Sequence, residues 1–219
     1  RTGTADGGPG VAELARFDGE LGQEIAPFAA VLLRTESASS SRIENLTASA
    51  RAIAEAEAQS TGKTNATMVV ANQRAMSAAI ELAQHINANA LLAMHRALLE
   101  SSEPDIAGKW RQQQVWLGGS GLSPHGAVFV PPHHSRVPAA VDDLLAFIDR
   151  DDMPLLAQAA IAHAQFETVH PFVDCNGRVG RALVHSHLRS KRLLRNVTVP
   201  VSAGLLVELD TYFAALTSY

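Results

Sequence analysis

Apolar residues recurring three and four positions apart make a continuous stripe on an α-helix and scatter over both faces of a strand. Stretches with that spacing, rich in the strong helix former alanine, run through most of this sequence. The chain is therefore read as mainly α. Helices are expected over about 21–34, 40–59, 66–101, 138–149, 154–168, 176–193 and 204–217. The 66–101 stretch is open to division at HINANA, where two asparagines interrupt the pattern. One segment departs from the habit. In QQVWLGGSGLSPHGAVFVPP, residues 113–132, strand formers flank a run of turn formers. It reads as a β-hairpin, with a long loop between two extended arms as the alternative. Its exposed edge is suited to taking up a peptide by strand addition.

With 219 residues, 47% of them hydrophobic, the chain can bury a sizeable core. Its net charge of −4 argues against a nucleic-acid surface as its main business. No apolar run approaches the roughly 18 residues of a membrane helix. Cys175 is the single cysteine, which excludes an internal disulfide and fits a reducing, cytoplasmic setting. The glycine-rich opening RTGTADGGPG marks residues 1–20 as a flexible start. A helical region over 21–100 and a second region over 101–219 complete the expected organisation.

The densest chemistry lies in TVHPFVDCNGRVGRAL, residues 168–183. Pro171 ends the preceding helix at or before His170, and an imidazole held there can take a proton at neutral pH. Asp174 can cap the next helix or hold a hard divalent cation. Asn176 and Gly177 mark a tight turn whose consecutive N–H groups can converge on an anion. Arg178 and Arg181 share a face one turn inside a helix whose N-terminus already carries partial positive charge. Acidic side chains of this chain or a phosphate-bearing ligand must balance that charge. A cation cradle, a metal-competent carboxylate and a base together suit phosphoryl or nucleotidyl transfer.

The stretch HPFVDCNGRVGR resembles the Fic motif, HPFx[DE]GNGRxxR, and departs from its fixed positions only at Cys175. RQQQVWLGG, AVFVPPHHSRVP, DLLAFI and AHAQFETVHPF resemble the flap and neighbouring helices of Fic proteins, so the likeness covers most of residues 25–219. It implies a Fic-type helical fold with a hairpin flap beside the active site. It also implies a protein AMP transferase that moves AMP from Mg-ATP to a Ser, Thr or Tyr hydroxyl of a target protein or of itself. On matching positions, His170 is implied as the general base and Asp174 as the Mg²⁺ ligand. Cys175, Asn176, Gly177, Arg178 and Gly180 are implied in nucleotide binding around the phosphates, and Arg181 in holding the γ-phosphate. Tyr212 is implied on the adenine side. Leu117, Gly118 and Val128 are implied as the flap's docking edge. Related Doc kinases carry lysine in place of Gly177 and transfer phosphate, so glycine points to AMP. Such proteins often dimerise.

Cys175 stands where the pattern has glycine. A requirement for positive φ there would cost about 1–2 kcal/mol. A thiol at a helix start beside arginines is open to acidification, or is a merely tolerated small residue. Upstream, Ser40, Glu44 and Asn45 in SSSRIENL fit [ST]xxxE[GN], the inhibitory motif of self-regulating Fic proteins. Ser40 is read as the cap that starts a helix over about 40–47, with Glu44 one turn inside it. The resemblance implies that Glu44 pairs with Arg181 and keeps the γ-phosphate from its seat. Three other readings stay open: removal of AMP by the same site, a nucleotide-sensing interaction module with weak catalysis, and transfer of a different nucleotide or phosphocholine.

Overall fold

The motif helix, which carries both arginines, is buried along most of its length. The computed structural model describes residues 8–21, 26–59, 64–119 and 123–219. Among them are α1 (Pro9–Leu21), α2 (Ala26–Ile43), α3 (Ala50–Gln59), α4 (Asn65–Glu81) and α5 (Ala88–Leu99). They are followed by α6 (Val137–Ile148), α7 (Leu155–Val169), α8 (Asn176–Ser190), α9 (Val201–Val207) and α10 (Leu209–Ser218). Val179, Ala182 and Leu183 of α8 pack against Met76 and Ala79 of α4, Leu91 and Met94 of α5 and Phe166 of α7 in one buried core. Burial of such a stripe supplies most of a helix's stability. A polar pin adds to it, since Ser186 Oγ donates to Ala79 O at 3.0 Å. No helix among the described residues is long and apolar enough to cross a membrane.

Helix ends follow local chemistry. Thr64 caps α4, accepting from Thr67 N while the Thr67 side chain returns the bond to the Thr64 backbone. Asn87 Oδ1 accepts from Ala90 N, so HINANA does divide the 66–101 stretch, into α4 and α5. Pro138 lies in the first turn of α6, where its missing N–H costs nothing.

Four expectations need correction. The helix expected over 40–59 is the end of α2 and the whole of α3, separated at residues 44–49. Ser40 thus lies inside the last turn of α2 and does not start a helix. Asn45 takes φ 59 in the left-handed region, Asn45 N donates to Arg42 O and Leu46 N donates to Ser41 O. These bonds close a helix C-terminus with the residue type that tolerates that conformation best after glycine. The flexible start is helical from Pro9 onward, and residues 1–7 lie outside those described. Asp18 is only 4% exposed and its carboxylate accepts the N–H groups of Arg195, Asn196 and Val197. That long-range anchor docks α1. The single helix expected over 204–217 is two, broken at Glu208 with φ −123 and ψ 48.

The fourth correction concerns the flap. One isolated bridge, Leu117 to Phe129, joins two extended arms, and no strand ladder forms among the described residues. Gly118 and Gly119 turn to positive φ directly after the bridge. On the other side Pro131 and Pro132 lack the N–H a ladder needs. Gln114 Nε2 substitutes for that ladder by donating to Pro131 O at 2.8 Å.

Candidate active site

His170 ends α7 in the left-handed region at φ 47, with its N–H donating to Phe166 O. Its Nδ1 lies 3.2 Å from Glu167 O. A carbonyl can only accept, so Nδ1 carries the proton and Nε2 keeps its lone pair. Burial, chiefly, holds the ring below its usual pKa, with the Arg111 cation adding to the effect. His170 is therefore neutral at neutral pH and able to receive a proton.

The turn that follows is pinned from within. Asn176, 3% exposed, accepts from Phe172 N and donates to Phe172 O, so its side chain staples the loop and only its backbone N–H is left for a ligand. Cys175 sits at φ 64, the conformation that favours glycine. Its thiol is buried, and burial pushes its pKa up to about 12, which corrects the expectation that it is open to acidification. Asp174 Oδ1 accepts from Cys175 N at 2.6 Å, and the residue is exposed. Behind the turn, His95 accepts from Gly108 N on Nδ1. The proton is thereby left on Nε2, which lies 3.3 Å from the Asp174 carbonyl. The His95 ring stacks on Phe172 at 3.9 Å. Nothing in the local sequence singled out that support.

The two arginines differ. Arg178 is 3% exposed, and its Nη2 donates to Cys175 Sγ at 2.7 Å. Its Nε and Nη1 are buried with no hydrogen-bond partner among the described residues. Arg181, equally buried, donates through Nε to Ser40 Oγ at 2.9 Å and through Nη2 to Ser40 O at 2.9 Å and Glu44 Oε1 at 2.7 Å. Burial works to lower the Arg181 pKa, but the Glu44 carboxylate prevails and raises it. Ser40 lies in the last turn of α2, and Glu44 directly follows that helix. Glu36 ties that helix down one turn earlier: its buried carboxylate accepts from Ser202 N at 2.8 Å and lies 2.9 Å from His185 Nε2 of α8.

Two glycines of α8 leave room for side chains from neighbouring elements. A Cβ at Gly177 would collide with Glu44 Oε1. At Gly180 it would collide with Glu167 Oε1 and come within 3.0 Å of His163 Nδ1, so Gly180 serves packing between α8 and α7. Glu167 is pushed up to about pKa 7, by burial first and against the pull of Arg181. His163 Nε2 lies 2.8 Å from Tyr212 OH.

A cleft of about 480 Å³ collects these parts. His170, Gly177 and Arg181 of the motif line it with Glu44, with Leu117 and Val128 of the flap and with Tyr212 of α10. Asp174, Arg178, Gly118 and Asn45 do not line it. Asn45 acts instead through the helix end described above.

Residues 85–188 match the model of the Fic/DOC family. The chain is 33% identical over 103 residues to the protein adenylyltransferase fic-1 of Caenorhabditis briggsae, covering 46% of this chain and 18% of that protein. It is 29% identical over 101 residues to the protein adenylyltransferase Fic of Drosophila ananassae, covering 45% of this chain and 19% of that protein. The match thus spans about a fifth of the length of these curated relatives. Among solved structures, a Fic family protein from Desulfovibrio desulfuricans superimposes with a TM-score of 0.69 at 25% identity, covering 96% of this chain and 66% of that one. Fic-1 from C. elegans, at 20% identity and a TM-score of 0.66, shares the fold over 96% of this chain and 64% of its own.

Proposed function

We propose that this chain is a protein adenylyltransferase that uses Mg-ATP and is held in check by Glu44 on Arg181. The observation that carries the reading is Arg178, a buried guanidinium beside a helix N-terminus with Nε and Nη1 left without acceptors among the described residues. Buried charged donors are costly unless paired, and a phosphate at that helix end supplies the missing oxygens. The names of the curated relatives point the same way.

In this reaction a hydroxyl oxygen of the target attacks the α-phosphorus of ATP, and the bond to the pyrophosphate oxygen breaks. His170 Nε2 takes the hydroxyl proton. Arg178 and the first N–H groups of α8 hold charge as it develops on the phosphates. Arg181 is the seat of the γ-phosphate and is occupied by Glu44 in this structure. A magnesium ion is implied as well. Among the described residues no group of three or more His, Cys, Asp or Glu side chains could hold a metal. One exposed carboxylate, Asp174, fits an ion that keeps several waters and takes its other ligands from phosphates. Bound there, the ion would neutralise phosphate charge.

Replacing Arg178 by Met tests the reading. ATP affinity should fall at least about tenfold, as for loss of a charge-assisted hydrogen bond. Thermal stability should hold or rise, because an unpaired buried charge is removed. Unchanged ATP affinity in the folded variant would sink the assignment of Arg178 to phosphate.

A further inference from the structure

Arg111 is 1% exposed, the largest fully buried side chain among the described residues, and no carboxylate among them lies within salt-bridge distance of it. Burial lowers its pKa, but a guanidinium keeps its charge at any physiological pH. Its donors all go to main-chain carbonyls. Nε donates to His170 O at 2.8 Å, Nη1 to Gln113 O at 3.0 Å, and Nη2 to Val169 O at 3.3 Å and to Pro132 O. Its own N–H donates to Pro171 O at 3.0 Å. One planar fork therefore holds three pieces of chain: the entry of the flap, its exit, and the turn that carries His170.

The two ends of this connection have different mechanical character. An isolated bridge, Leu117 to Phe129, joins the flap arms, with Val128 N donating to Leu117 O at 2.7 Å, and Val128 is 74% exposed. His170 sits at φ 47, a strained conformation for a residue with a Cβ, which persists only where its surroundings hold it. Among the described contacts, the His170 carbonyl is held by Arg111 Nε and the ring by Glu167 O. A shift of the flap arms cannot leave the fork unmoved, because Gln113 O and Pro132 O hang on the same planar group.

We propose that Arg111 is a positioning residue that couples the flap to His170, so that a segment docked on the flap sets the ring geometry used for proton removal. The proposal rests on His170 acting as the base. It differs from a purely structural pin in one respect: a change made at the flap alone must be felt at the imidazole.

The test reads the ring directly and does not depend on transfer. Protein labelled with ¹⁵N-histidine gives long-range ring spectra in which His170 should show one tautomer, protonated on Nδ1. Arg111→Lys keeps the charge and loses the fork. His170 should then become a mixture of tautomers or broaden, while His163 and His187, which Arg111 does not touch, keep their signals. For transfer to a protein acceptor, kcat should drop at least tenfold with ATP affinity within twofold of wild type. Should Arg111→Lys fail to fold, Val128→Pro decides. It removes one exposed flap hydrogen bond and leaves Arg111 intact, and it should still shift the His170 ring signals. Unshifted His170 signals in Val128→Pro, or an unchanged tautomer in folded Arg111→Lys, would overturn the coupling. If the ring signals move but His170→Ala retains transfer, the coupling stands and the assignment of the base falls.

Discussion

Two residues in the left-handed region, His170 and Cys175, bracket the turn between α7 and α8. Each costs about 1–2 kcal/mol relative to glycine in that conformation. At Cys175 the side chain gives something back, since Sγ accepts from Arg178 and fills a buried space. The thiol is 6% exposed with its pKa pushed up to about 12. At pH 8 the folded protein should therefore react with an alkylating or disulfide reagent far more slowly than after unfolding, and rapid labelling of the native chain would contradict this burial. The motif was legible in the sequence because its parts are contiguous: proline, the Asn-Gly pair and two arginines one turn apart each impose a local geometry. The supports of that turn, His95 and Arg111, come from the other side of the fold. Neither carries a local signal, since a histidine in an alanine-rich helix and an arginine before a flap read as ordinary residues.

The end of α2 is the element on which the proposed control depends. In sequence Ser-x-x-x-Glu looks like a capped start, whereas here it spans the last turn of α2 and the residue after it, closed by Asn45 at φ 59. The position taken by glycine or asparagine in the motif is the left-handed residue beyond the helix end, which gives that choice a conformational reason. A β-branched residue is strongly disfavoured there. Asn45→Val should loosen the turn that presents Glu44 and raise AMP transfer several-fold, whereas Asn45→Gly should leave it close to wild type. Equal activity in the two variants, measured by incorporation of α-labelled ATP, would separate the helix end from control. The flap departs from the hairpin its strand-forming residues suggest, since Gly118, Gly119, Pro131 and Pro132 interrupt pairing on either side of the Leu117–Phe129 bridge.

On the scale of the whole molecule, the helical class was readable from periodicity, but α1 was not, because Asp18 is satisfied by N–H groups almost the full length of the chain away. Buried histidines set the acid response of the fold. Burial holds His95 at about pKa 4, His163 at about 3 and His187 at about 4. Unfolded, each would titrate near the ordinary value of about 6.5. Their stabilisation is complete above that value and is lost as pH falls toward 4, each adding a slope of up to about 1.4 kcal/mol per pH unit. Glu167 opposes them. With its pKa raised to about 7, it binds its proton more tightly folded than unfolded, so its contribution weakens as pH rises from about 4.5 to 7. Denaturant melts should show stability falling steeply below pH 6, and His163→Asn or His187→Asn should flatten that fall. A profile unchanged by both substitutions would show that these rings do not govern it.

The central claim is that Glu44, seated on Arg181 at 2.7 Å, blocks AMP transfer by this site. Glu44→Gly leaves α2 closed by Asn45 and frees Nη2 of Arg181 for a γ-phosphate. Purified wild type and Glu44→Gly are incubated with magnesium and ATP labelled at either the α- or the γ-phosphate, and protein-bound label is counted. The account predicts at least a tenfold gain of α-label in Glu44→Gly, no γ-label in either protein, and loss of the gain in Glu44→Gly combined with Arg181→Ala. No gain of α-label in a folded Glu44→Gly protein, or transfer of the γ-label, would contradict it.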